Sequence, residues 1–281
     1  MRLTKYVVGI LFTVFLVGEI CRTAGGEDVP PTSQERALHL ERMRNIAGSF
    51  QVYELSGEKR RPVERADEPV LRYTDSTRKQ RDSTVWMWGT QGRPTALMAV
   101  EYYPERPRDQ KWLYEIASLS TSRIAVERGS DLSWTAREPG LNLRRLDGAP
   151  APAERPAARL GQMKELFARL GAHEGAVVEG RVELRPMARP LYRYHDDAAG
   201  VIDGAIFVFA NGTNPEVLCV IEAQSGDENT RNWHFGFVQM TGGELVVELD
   251  GKEIWRCREA DPPAERGSYR NGWLPPGSEG K

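Results

Sequence analysis

A pattern that returns after 121 residues constrains this chain more than any other feature, since residues 69–138 align without a gap on residues 190–259. Pro69-Val-Leu-Arg-Tyr73 meets Pro190-Leu-Tyr-Arg-Tyr194, Asp75 meets Asp196, and Asp82 meets Asp203. Glu101 meets Glu222, Trp112 meets Trp233, and Trp134 meets Trp255. About 14 of the roughly 70 aligned positions are identical, against roughly 4 expected from average composition. Apolar positions also stay apolar: Tyr114 becomes Phe235, Ile116 becomes Phe237, Leu119 becomes Met240. A one-residue slip exchanges the two faces of a strand, so a pattern kept at one offset predicts one sheet built twice.

The expected fold is therefore α+β, mostly β. Two tandem copies of a helix followed by an antiparallel meander sheet are related by an internal duplication. The first helix lies near Ser33–Ile46, with Ser33 as its cap and Leu38, Met43 and Ile46 on its inner face. The second opens at Pro156, buries Leu160, Met163, Phe167 and Leu170, and closes at Gly171. Strands are expected at 50–56, 69–74, 83–89, 95–102, 111–119, 123–128 and 131–136. The second copy has them at 176–184, 190–195, 204–210, 216–223, 231–241, 244–249 and 252–257. Asn211-Gly-Thr-Asn-Pro215, Gly242-Gly243 and Asp250-Gly251 read as turns between them. The runs 85–88 and 206–209 are apolar on both faces, which predicts central strands covered on both sides, by the helix on one and by a second element such as the sister sheet on the other.

The expected organisation is a signal peptide over 1–26, a strand-rich unit over 27–137, a linker over 138–154, a second unit over 155–260 and a disordered tail over 261–281. Arg2 and Lys5 precede a short apolar run, and Thr23-Ala24-Gly25 supplies the small residues of a cleavage site. Export, to the periplasm or beyond the cell, is the compartment this implies. Membrane contact is expected only through that segment, if it stays uncleaved. Cys219 and Cys257 would be the remaining thiols, with a disulfide left open.

The formal net charge of −2, from 38 basic and 40 acidic residues, gives no long-range field for nucleic acid. No partner of that kind is expected. No Gly-x-Ser-x-Gly elbow, phosphate loop or metal-ligand spacing occurs, so no catalytic residue, metal or cofactor is assigned. His195-Asp196-Asp197 alternates direction along a strand and does not converge on an ion. Asp227-Glu228-Asn229 supplies too few oxygens for calcium.

The candidate binding residues are the charged groups that recur in both copies: Arg72, Asp82 and Glu101, with Arg193, Asp203 and Glu222. Each arginine is the natural partner of its acids. Tyr102 and Tyr103 join them as a surface candidate, because Ala223-Gln224 stands opposite with no aromatic ring. The reading is a non-enzymatic envelope protein that binds another protein or a cell-surface polymer; the alternative is a hydrolase using the strand-end carboxylates.

Several quoted strings resemble a group of uncharacterised exported proteins from planctomycete-type bacteria. They are Pro69-Val-Leu-Arg-Tyr-Thr-Asp75, Glu101-Tyr-Tyr103, Ile116-Ala-Ser-Leu119, Asp203-Gly-Ala-Ile-Phe207 and Gly212-Thr-Asn-Pro-Glu-Val217. The resemblance implies a bacterial envelope protein and carries no activity and no functional residue.

Overall fold

The computed structural model describes residues 31–76, 78–176, 180–226, 230–258 and 265–277. The expected signal peptide and the Asp227-Glu228-Asn229 turn lie outside the described residues.

Helix α1 (Ser33–Gly48) is capped by Thr32, one residue before the expected Ser33. The Thr32 hydroxyl accepts from the Glu35 N–H at 3.2 Å, and the Glu35 carboxylate accepts from the Thr32 N–H at 2.8 Å. This reciprocal box satisfies two donors that a helix start leaves open. Met43, Ile46 and Ala47 are buried, whereas Leu38, expected on the inner face, is 45% exposed.

Eight strands follow: β1 (Gln51–Ser56), β2 (Lys59–Val63), β3 (Leu71–Asp75), β4 (Gln80–Trp88), β5 (Ala96–Tyr102), β6 (Trp112–Ser118), β7 (Ile124–Arg128) and β8 (Leu132–Thr135). All their pairings are antiparallel. They do not form the single meander expected. β3 to β6 are consecutive neighbours in one sheet, but β1 pairs with β7, giving a second sheet of order β2-β1-β7-β8. The reason is burial. Val52, Val126 and Trp134 form an apolar face that packs, together with α1, over Trp86, Trp88, Met98 and Ile116 of the meander. One flat seven-stranded sheet would leave that face in water.

After β9 (Arg144–Arg145), the second half runs through α2 (Pro156–Ala168), β10 (Leu170–Ala176), β11 (Gly180–Glu183) and β12 (Arg185–Pro186). It continues with β13 (Tyr192–Asp196), β14 (Val201–Asn211), β15 (Asn214–Ser225), β16 (Arg231–Gln239), β17 (Glu244–Leu249) and β18 (Lys252–Cys257), and ends with β19 (Glu265–Arg266) and β20 (Tyr269–Trp273). α2 stops at Ala168 with Arg169 as its C-cap, so Gly171 lies inside β10 and does not close the helix. The strand expected at 176–184 is a hairpin, β10 with β11. The small sheet has the order β11-β10-β17-β18, matching that of the first half.

Registers also match. Leu71 faces Val85 as Tyr192 faces Ile206, Ser83 faces Glu101 as Gly204 faces Glu222, and Tyr102 faces Trp112 as Ala223 faces Trp233. Irregularities separate Tyr73 from Asp75 and Tyr194 from Asp196 at corresponding points. Other irregularities are not shared: β17–β18 is shifted at Val247/Glu248 and β14–β15 at Val201/Asp203 and Phe209/Ala210, whereas β7–β8 and β4–β5 run without a shift.

The described residues from Thr32 onward form one compact unit, and three apolar clusters lie among them. The first joins α1, the first small sheet and one face of β4–β6. The third joins α2, the second small sheet and one face of β14–β16, where Phe167 stacks on Phe207 with centroids 4.6 Å apart. The middle cluster draws Val85, Met87, Leu97 and Ala99 from the first half, and Ile206, Val208, Leu218 and Val220 from the second. Here the two large sheets pack face to face. That packing accounts for the doubly apolar runs at 85–88 and 206–209.

Connector and tail are both built into the sheets. β9, within the expected linker, pairs with the β16 edge at His234 and Phe235. β20, within the expected disordered tail, pairs with the β6 edge from Leu113 to Ala117. Leu146 N–H donates to Trp233 C=O and Leu274 N–H to Trp112 C=O, each at 2.8 Å. Each half thus ends by covering the open sheet edge of the other half. Bare edges are costly and association-prone, which explains why a Pro- and Gly-rich tail orders here.

Candidate functional site

The recurring charged residues fall into two kinds of buried cluster. Asp82, fully buried, accepts from Arg72 Nε at 2.8 Å and Nη2 at 2.5 Å, and His39 Nδ1 of α1 lies 3.4 Å away. Asp203 accepts from Arg193 at 2.8 and 2.6 Å and from Arg159 Nε of α2 at 2.8 Å. The two arginines also donate to helix carbonyls, Arg72 to Arg36 and Arg193 to Pro156. Each cluster therefore ties a helix to its large sheet. Burial pushes the Asp82 carboxyl up, but the Arg72 hydrogen bonds and charge more than reverse this, and it lies below its ordinary value. His39 and Arg159 escaped the sequence reading, although each stands four residues before the buried methionine of its helix.

Glu101 and Glu222 lie in the interface between the large sheets. Glu101 Oε1 accepts from the Tyr73 hydroxyl and Oε2 from the Tyr103 hydroxyl, both at 2.8 Å. Glu222 accepts from the Tyr194 hydroxyl at 2.5 Å and from Arg93 through Nε at 2.6 Å and Nη2 at 2.9 Å. Burial raises the Glu101 carboxyl, and its tyrosines only partly offset that. Burial also raises Glu222, but the Arg93 hydrogen bonds and charge bring it below the ordinary carboxylate value.

Two further buried acids went unread. Glu115 accepts from the Tyr269 hydroxyl at 2.5 Å, and burial together with the nearby Glu101 charge raises it strongly. Glu216 accepts from Arg78 Nη1 at 2.6 Å, yet burial still pushes it up to about 8. The alternation held the signal for Glu115, which shares a strand face with Leu113, Ala117 and Leu119.

Tyr102 and Tyr103 do not form the exposed aromatic face expected of them. Tyr102 packs 4.5 Å from Trp112 and 4.6 Å from His39, and Tyr103 is 9% exposed and committed to Glu101. The Ala223-Gln224 comparison pointed outward, but the ring is drawn inward by its buried acid. Cys219 is buried, and Cys257 is half-buried with its thiol against the Gln239 side-chain oxygen.

A groove of about 1070 Å³ lies between the β4–β5 loop and the β13–β14 turn. Glu54, Arg61, Arg93, Tyr194, Asp196 and Asp197 are among its walls. Gly92 carries φ 71°, and a Cβ there would collide with the Asp196 carboxylate, so the loop reaches the turn only with glycine at this point. A smaller hollow of about 430 Å³, bounded by Arg159, Ile202 and Asp203, shares Arg193, Tyr194 and His195 with the groove. Of the predicted residues, Arg193 reaches the groove wall and Asp203 the adjoining hollow; Arg72, Asp82, Glu101, Tyr102 and Tyr103 reach neither. Glu222 lies behind the wall, holding Arg93 in place.

Among the described residues, no set of three or more His, Cys, Asp or Glu is arranged to hold a metal ion, and no helix is long and apolar enough to cross a membrane. No family model, curated protein or solved structure matches the chain.

Proposed function

We propose that this chain is an exported envelope protein, periplasmic or secreted, that binds another protein or a cell-surface polymer in the groove between its two halves and performs no catalysis. The basic and apolar start of the sequence supports export. The shared sheet orders, registers and irregularities support an internal duplication, with the groove lying where the two copies diverge.

The observation that carries a binding role is that the recurring strand-end acids are committed internally. Asp82, Asp203 and Glu222 are each held by arginine, and Glu101 is held by two tyrosines. A hydrolase that used these carboxylates would need them free to exchange protons with substrate. The groove, in contrast, presents Asp196 and Asp197 on an open wall.

Ala199, on that wall, provides the test. A pull-down from an envelope extract compares the wild-type chain with Ala199→Arg, which places a bulky cation on the groove wall, and with Lys252→Ala on the far small sheet. Ala199→Arg is expected to lose the captured partner while Lys252→Ala retains it. Equal capture by all versions refutes the groove as the binding site.

A further inference from the structure

The groove has a counterpart in the other half of the molecule, and the counterpart is occupied by the chain's own Arg78. Arg78 and Ala199 hold the same place in matching turns. Arg78 N–H donates to Asp75 Oδ1 at 3.3 Å, and Ala199 N–H donates to Asp196 Oδ1 at 3.1 Å. The next residue is left-handed in both, Lys79 at φ 57° and Gly200 at φ 69°. The Arg78 guanidinium donates to Glu216 at 2.6 Å and lies 3.8 Å from Glu174 and 4.0 Å from Asp75.

The same acids recur around Ala199. Glu54 pairs with Ile124 as Glu174 pairs with Leu245, so Glu54 is the register counterpart of Glu174. Asp196 is the counterpart of Asp75. Both line the groove, and an alanine methyl cannot reach across to them. Asp75 therefore lies beside a guanidinium, whereas among the described residues its counterpart Asp196 has none; Glu54 is held only by the Ser120 hydroxyl and by Arg61.

The charge around the groove agrees. Arg93 and Arg193 line it; Arg93 is neutralised by the buried Glu222, and Arg193 is tied to the buried Asp203, which it shares with Arg159. Arg61 contacts Glu54, and its side chain is 72% exposed, so it can be displaced at little cost. Glu64, Asp196 and Asp197 add further negative charge to the wall. Thr95 stands where the filled half has Glu216: Leu119 N–H donates to Thr95 C=O as Met240 N–H donates to Glu216 C=O. With one buried acid fewer, the open site suits an exchangeable guanidinium rather than a permanent one.

We infer that the groove binds an arginine side chain carried on an extended segment of a partner protein. This rests on the reading of the groove as the binding site and adds the chemistry of its ligand. Guanidinium is planar and presents a fork of donors to carboxylates, which a lysine ammonium does not match. At about 1070 Å³ the space exceeds a single side chain, so flanking peptide occupies the remainder.

The probe is the blocked pentapeptide acetyl-Gly-Gly-Arg-Gly-Gly-amide, titrated calorimetrically into the full chain. Versions with lysine or glutamine at the centre, and acetyl-arginine methylamide, serve as comparisons. One site is expected, with arginine preferred about tenfold over lysine and glutamine silent. Asp196→Asn weakens binding about tenfold, and Ala199→Arg abolishes it while melting as the wild type does. Arg78→Ala, which empties the counterpart, gains a second site or, if it is destabilised, recovers its melting temperature when the peptide is added. No preference for arginine, in a chain whose partner capture is still blocked by Ala199→Arg, overturns the guanidinium assignment and leaves the groove standing. Equal peptide binding by wild type and Ala199→Arg overturns the location as well. Equal affinity for acetyl-arginine methylamide and the pentapeptide overturns the peptide-borne part and makes the ligand a small guanidine.

Discussion

Arg93 and Glu222, 129 residues apart in sequence, meet through two parallel hydrogen bonds of 2.6 and 2.9 Å across the interface between the large sheets. Glu222 is fully buried, and the Arg93 side chain is 13% exposed. Removing one partner leaves the other as an uncompensated buried charge. Arg93→Ala is therefore expected to cost about 3–5 kcal/mol, measured by urea unfolding. Arg93→Lys recovers only part of this, because an ammonium does not span both carboxylate oxygens. A loss below about 1 kcal/mol for Arg93→Ala would mean that the pair does not hold the halves together.

Glu216 sets a pH dependence. Its folded value of about 8 lies above the ordinary 4.5, so folding favours the protonated acid. The associated stability is fully present below pH 4.5 and is lost as pH rises towards 8, by an amount of the order of a few kcal/mol. Glu101 and Glu115 are raised too and act in the same direction. Chemical denaturation between pH 5 and pH 8.5 is expected to give a falling stability for the wild type and a flatter profile for Glu216→Gln. Parallel profiles for the two proteins contradict this assignment.

Tyr269 joins the terminal strand to a buried acid through its hydroxyl contact with Glu115. Tyr269→Phe leaves the ring in place and removes the donor, with an expected cost of about 1–3 kcal/mol. Truncation after residue 264 goes further, exposing the β6 edge from Leu113 to Ala117. The shortened chain is expected to self-associate in sedimentation experiments, since an open edge recruits another strand. A shortened chain that stays monomeric and equally stable refutes the role given to β20.

Two glycines with the same backbone conformation are expected to respond differently. Gly92 has φ 71° and its missing Cβ would strike Asp196, whereas Gly200 has φ 69° and open space around it. Gly200→Ala should cost about 1 kcal/mol, from the left-handed conformation alone. Gly92→Ala should cost about 2–3 kcal/mol and disturb the groove. Thermal melts of the two variants decide this, and equal losses argue against close contact at Gly92.

Local pattern carried much of this fold. Alternation placed the strands around Leu71, Trp86, Val100 and Tyr114, and the Gly242-Gly243 and Asp250-Gly251 turns fall between strands as expected, while the turn expected over 211–215 narrows to Gly212-Thr213. Pairing of the recurring acids with Arg72 and Arg193 was also legible, since each half carries both members. Less was legible of the groove. Arg93 reads as one of many charged loop residues, and nothing around Ala199 in sequence announces that Glu54 will stand across from it.

The residues alone determined the central strands of both halves and which of their faces are apolar, because those depend on neighbours within a few positions along the chain. Tertiary structure alone decided which edges those strands meet, why Tyr269 and Leu141 are buried in segments that read as tail and linker, and which acids face open space. These depend on one half covering the other. Free energy from burying a surface belongs to a contact between distant parts of the chain, and no window of sequence contains both sides of it.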